Sequence, residues 1–168
     1  MKYSFSCYGH ENITARHKTT LEFTKDDEMR LEGDCIVGIG ADFELASLKR
    51  FIKSLGNNRK ITITIETINN TDNEKIINDK KIKINDKNNN NEKNIKNEII
   101  GKITAEINPD FNSDKEMVIR KSDFVSARTF AIKADKAAFE LGKGLVGFLT
   151  EKGNKIRIVV EIQKGIDF

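Results

Sequence analysis

Ile61-Thr62-Ile63-Thr64-Ile65-Glu66 alternates apolar and polar side chains without a break. A period of two is the pattern of a strand with one buried face and one solvated face. Further along, Ile99, Gly101, Ile103, Ala105 and Ile107 alternate with Lys102, Thr104 and Glu106. The two runs are natural antiparallel partners. Between them lies an Asn/Lys-rich insert, residues 69–97, with eleven asparagines and no aromatic residue, glycine or proline. Asparagine favours turns and local side-chain hydrogen bonds over regular structure. Such a tract buries too little apolar surface to offset its ordering entropy. The sequence therefore predicts one globular domain over 1–168, with 69–97 a low-complexity insert at the tip of a hairpin. Length is tolerated there, because each doubling of a loop costs only about 0.6 kcal/mol. Inside the insert, Lys75-Ile76-Ile77 and Ile82-Lys83-Ile84 flank Asn78-Asp79-Lys80-Lys81, a candidate for a small second hairpin.

Outward from this hairpin the chain remains rich in strands. Tyr3, Phe5 and Cys7 alternate with Ser4 and Ser6, and Leu21 and Phe23 share a face within Lys18–Thr24. Cys35–Gly40 is a short apolar run, Met117–Arg120 and Phe130–Lys133 are shorter candidates, and Lys155–Gln163 sets Ile156, Ile158, Val160 and Ile162 on one face. One clear helix is predicted at about 43–55. Leu45, Leu48, Ile52 and Leu55 form its apolar stripe, Asp42 suits the N-cap, and Gly56 can end it. A second helix is predicted near 134–149, where Gly142, Gly144 and Gly147 favour division into two shorter ones. No alternation of strand and helix of the parallel kind is visible. The fold class is α+β, strand-dominated, with a mainly antiparallel sheet or barrel.

The net charge is +3, and its location decides its meaning. Residues 69–97 carry seven lysines against five acids, whereas the rest of the chain has 22 basic and 21 acidic residues. Net charge therefore gives no support to nucleic-acid binding by the globular part. Two cysteines make no disulfide framework, and both sit in apolar runs that suit reduced thiols. No apolar run approaches a membrane span, and the N-terminus lacks the apolar core of a signal peptide. A cytoplasmic protein with no membrane partner is expected.

Chemistry-bearing residues concentrate in a few blocks. Gly9–Thr24, GHENITARHKTTLEFT, holds both histidines of the chain, His10 and His17, with Asn12 and Arg16. Gly33-Asp34-Cys35 is a second block, Arg120–Thr129 a third, and Ala134-Asp135-Lys136 a fourth. These strings, with GDCIVGIGAD, SDFVSARTFAIKADKAA and the closing IRIVVEI, resemble an archaeal family known as domain of unknown function 371. The resemblance covers about residues 1–60 and 98–163, and the Asn-rich insert departs from it. It implies an archaeal, cytosolic context and no particular activity.

The residues support three function classes. The preferred one is a module that binds a small anionic ligand or an RNA element, with a site gathered from His10, Asn12, His17, Arg128, Asp135 and Lys136. Arginine forms paired contacts with phosphate or carboxylate. The arginines could instead pair with Glu22, Asp123 or Asp135 on the surface. The second class is a hydrolytic or metal-assisted enzyme, with His10 or His17 as acid/base and Asp34 or Asp135 as partner. The spacing of a zinc-binding helix or of paired cysteines is absent, so no metal ligand is assigned, and the sequence does not identify a cofactor. Cys35 beside Asp34 could serve as a nucleophile, although a cysteine opening an apolar strand is more often a buried thiol. The third class is a protein-interaction subunit without a small-molecule site.

Overall fold

The computed structural model describes residues 1–68 and 100–163. Its core element is the pair read from the isoleucine alternation. Strand β4 (Lys60–Thr67) lies antiparallel to β5 (Ile100–Ile107), with Ile63 opposite Ile103 and Glu66 opposite Ile100. The other strands are β1 (Lys2–Tyr8), β2 (Thr20–Thr24), β3 (Ile36–Gly38), β6 (Glu116–Arg120), β7 (Thr129–Ile132) and β8 (Lys155–Ile162). They form one eight-stranded sheet in the order β1-β8-β4-β5-β7-β6-β2-β3. The small hairpin read at residues 75–84, and the insert as a whole, lie outside the described residues.

Five of the strand pairs are antiparallel, as the sequence predicts, and two are parallel: β2 with β3, and β6 with β7. Parallel neighbours need a crossover, usually a helix. Here both crossovers are loops, residues 25–35 and 121–128, so no helical period announces them. The sheet curls far enough that its two edge strands touch. Tyr8 at the end of β1 and Ile39 just beyond β3 exchange both backbone hydrogen bonds at 2.9 Å.

One face of this curved sheet holds the core. Ile61, Ile63 and Ile65 of β4, Ile103 of β5, Ile156, Ile158 and Val160 of β8, and Leu21 and Phe23 of β2 are all fully buried. Burying each of these side chains stabilises by about 1.5–3 kcal/mol. Phe5 meets Phe23 and Phe43 edge to face, at centroid separations of 5.5 and 5.6 Å. Helix α1 (Leu45–Ser54) adds Leu48, Phe51 and Ile52.

The helix starts differently from the sequence expectation. Glu44 holds the N-cap position with no side-chain cap bond, and Asp42 is not the cap. The Asp42 carboxylate accepts the Ser6 N–H at 2.6 Å instead, and the Asp42 N–H donates to the Ser6 carbonyl at 3.0 Å. An open β1 edge outcompetes the helix end for that carboxylate. The second helical region divides, as its glycines suggest. A 3-10 turn covers Ala138–Glu140 and α2 covers Lys143–Leu149, with Gly142 at the N-cap position of α2. No helix among the described residues is long and apolar enough to cross a membrane.

Candidate functional site

The Gly9–Asn12 segment is a structural junction. Gly9 leaves β1 under the C-terminal end of α2. A Cβ on it would lie 2.5 Å from the Leu149 carbonyl oxygen and 2.6 Å from that of Glu151, so only glycine fits. The next N–H, of His10, donates to the Leu149 carbonyl at 2.9 Å. The His10 ring is buried, at 1% exposure. Its Nδ1 accepts the Asn12 N–H at 3.0 Å, which fixes the ring proton on Nε2, 3.0 Å from Glu28 Oε2. That bond, and then Lys152, hold the exposed Glu28 carboxyl below its ordinary pKa. The Asn12 amide donates to the Met29 carbonyl at 2.9 Å. His10 and Asn12 are thus brought together, and both tie the chain after β1 to the segment after β2.

Asp135 and Lys136 are also committed to the scaffold. The Asp135 carboxylate accepts the Thr104 N–H at 2.8 Å, and Lys136 Nζ donates to the Lys102 carbonyl at 2.7 Å, so the pair clamps the segment after β7 onto β5. Among the described residues, no hydrogen bond or ion pair joins these two, or His10 and Asn12, to His17 or Arg128.

His17 and Arg128 each contact residues of a different place, the outer face of β2 and β6. With Leu21 and Phe23 turned into the core, Thr20, Glu22 and Thr24 point the other way. Register puts Thr20 opposite Arg120, Glu22 opposite Val118 and Thr24 opposite Glu116, and paired residues of antiparallel strands share a face. His17 Nδ1 accepts the Thr20 hydroxyl at 2.7 Å and its N–H at 3.0 Å, which seats the imidazole beside Thr20 and leaves the other nitrogen, Nε2, as the donor. Arg128, at the end of the 121–128 crossover, reaches Glu116 at 2.8 Å and Glu22 at 4.0 Å.

Arg120 is the centre of this face. Its Nε donates to Thr129 Oγ1 at 3.0 Å, a fully buried hydroxyl that also accepts the Ser126 N–H at 3.1 Å. The guanidinium carbon lies 5.0 Å from the centroid of the Phe124 ring. One edge is bonded and one face is stacked, so the group is held in place. Its two terminal nitrogens have no partner among the described residues. Burial, and then the charge of Arg128, lower its pKa, which marks two guanidinium groups close enough to repel each other.

Glu22 and Cys35 lie beneath these arginines. Burial first, and then Glu116, raise the Glu22 carboxyl, with Arg128 opposing. The Cys35 thiol donates to Glu22 Oε2 at 3.5 Å, and burial followed by the Glu22 charge pushes it up to about 12. A thiol so held is protonated near neutrality and is a poor nucleophile. For the enzyme reading, the carboxylate beside His10 is Glu28, not Asp34 or Asp135. Asp34 offers its main-chain carbonyl to the N–H groups of Arg16 and His17, at 3.1 and 3.2 Å. Among the described residues, no group of three or more His, Cys, Asp or Glu side chains is placed to hold a metal ion.

Glu22, Glu116 and Arg120 are missing from the site read from sequence. The signal for Glu22 and Arg120 was present. Glu22 is the charged member of the outward-facing set of β2, and Arg120 falls in phase with the end of an apolar strand.

The sequence matches the family described as a domain of unknown function, DUF371, over residues 5–92 and 74–163. It is also 32% identical over 152 residues to a protein of Methanocaldococcus jannaschii described as uncharacterized, covering 90% of this chain and 93% of that one. The matched ranges span both the β2–β6 face and the Gly9–Asn12 junction, and the chain belongs to the DUF371 family.

Proposed function

We propose that this chain is a cytoplasmic binding module for a small anionic ligand, held on the outer face of β2 and β6 by Arg120, with Arg128 and His17 contributing from the same face. The observation that carries the reading is the state of the Arg120 guanidinium. Its Nε bond to Thr129 and its stack on Phe124 fix its orientation, while its two terminal nitrogens remain without a partner among the described residues. A guanidinium fixed in advance loses little entropy on binding, and its paired outer N–H groups match the oxygens of phosphate or carboxylate. The two free cysteines suit a reducing compartment.

The RNA reading draws less support. Outside residues 69–97 the chain carries 22 basic and 21 acidic residues, and Lys121 is paired with Glu140 at 2.9 Å, so net charge lends it no weight. The enzyme reading draws less still, because His10 has both ring nitrogens engaged and the Asp135 carboxylate serves β5.

The test is a titration with inorganic phosphate followed by amide NMR shifts. Saturable shifts at Arg120, Ser126, Arg128 and Thr20, lost in Arg120→Gln, are the expected result. Shifts that are absent, or that persist unchanged in Arg120→Gln, would remove the basis of the proposal.

A further inference from the structure

Phe124 carries an inference that deepens this reading and rests on it. The side chain is 60% exposed, on the crossover loop between β6 and β7, and Val125 next to it is also exposed. An exposed phenyl ring forfeits about 2 kcal/mol of burial. Here one side of the ring faces the Arg120 guanidinium at 5.0 Å. The ring is thus tied to the residue that presents free donors to an anion. Donors for an oxyanion at the end of β6 and an exposed aromatic surface on the braced loop beside it match a ligand with two parts: a phosphate and a flat ring.

We infer that the ligand class is a nucleoside phosphate, its phosphate on Arg120 and Arg128 and its base stacked on the exposed side of Phe124. The crossover is built to hold this arrangement. The Ser126 N–H and hydroxyl both meet Thr129 Oγ1, at 3.1 and 3.0 Å, and the Lys133 N–H returns to the Ser122 carbonyl at 2.9 Å. Stacking on an aromatic side chain tolerates any base, because every base has a π face. The same chemistry is presented by a free mononucleotide and by a residue of a single strand.

The experiment compares inorganic phosphate, adenosine monophosphate and pentaadenylate on the native protein and on Phe124→Leu. Leucine keeps an apolar prop beneath Arg120 and removes the aromatic face. The native protein should bind adenosine monophosphate at least about fivefold more tightly than phosphate, the lower end of what one stacked base contributes. Phe124→Leu should bind both equally, any loss of phosphate affinity from the weaker hold on Arg120 being shared by the mononucleotide, so the ratio of the two affinities is the readout. Pentaadenylate no tighter than the mononucleotide identifies a free nucleotide as the source. A further gain that is also lost in Phe124→Leu identifies a strand. Equal binding of phosphate and mononucleotide by the native protein overturns this inference and leaves the anion site standing. Failure of all three probes to bind overturns both.

Discussion

His10 Nε2 lies 3.0 Å from Glu28 Oε2, and its other ring nitrogen is taken by the Asn12 N–H. A buried imidazole thus gives its only proton to an exposed carboxylate and keeps no free nitrogen for a ligand. Removing the ring strands the Asn12 N–H and opens a cavity under α2. His10→Ala should lower unfolding stability by about 2–4 kcal/mol, read from urea denaturation. Phosphate affinity, measured where the variant remains folded, should stay unchanged. A loss of affinity without a loss of stability would return His10 to the site.

That result bears on how much the sequence could say. The β4–β5 pair was legible because isoleucines at every second position leave a one-residue slip no buried face. The outer-face cluster was only half legible. His17 and Arg128 are conspicuous as residue types, but what unites them is Thr20 paired with Arg120, a register no local pattern encodes. His10, Asn12, Asp135 and Lys136 are equally conspicuous and serve as stitches. A polar side chain that bonds a distant backbone group looks, in sequence, like one waiting for a ligand. The parallel crossovers were hidden for a related reason, since neither contains a helix to announce it.

Glu22 sets a pH dependence whose sign follows from its raised pKa. Its folded-state pKa lies above the unfolded value, so the folded state favours the protonated carboxyl. The contribution to stability is full below the ordinary carboxylate pKa. It is lost as pH rises from there through the raised value. Glu22→Gln cannot ionise and should escape that loss. The stability of the native protein minus that of Glu22→Gln should fall with rising pH across this window and then level off. A difference that rises with pH instead would mean that Arg128 and Arg120 outweigh burial at this carboxylate.

Cys35 should be nearly inert. A thiol pushed up to about 12 is thiolate only to the order of one part in a hundred thousand at neutral pH. An unperturbed cysteine is ionised to a few per cent. Alkylation of Cys35 by iodoacetamide in the folded protein should therefore be slower than that of a free thiol by on the order of a thousandfold. Both cysteines should react readily in denaturant, as followed by mass spectrometry. Glu22→Gln removes a negative charge beside the sulfur and should accelerate Cys35. Rapid native labelling would reopen the nucleophile reading.

Residues 69–97, we propose, are dispensable for the fold. The facing strands already set the geometry of a shorter connection. Glu66 lies opposite Ile100, and the same register carried outward in a shortened chain pairs Thr67 with Ile99 and Ile68 with Glu98. Replacing 69–97 by Asn-Gly then closes a two-residue hairpin, the turn whose twist matches the strands it joins. Shortening the connection from 29 residues to two lowers the entropy of loop closure, a gain on the order of 2 kcal/mol. The replacement also removes a surplus of two positive charges, seven lysines against five acids. The shortened chain should unfold in one cooperative transition, at a urea midpoint no lower than that of the parent, and should bind phosphate with the same affinity. A lost or broadened transition would show that the tract supports the sheet. A retained transition with lost phosphate binding would place part of the ligand's contacts in the tract.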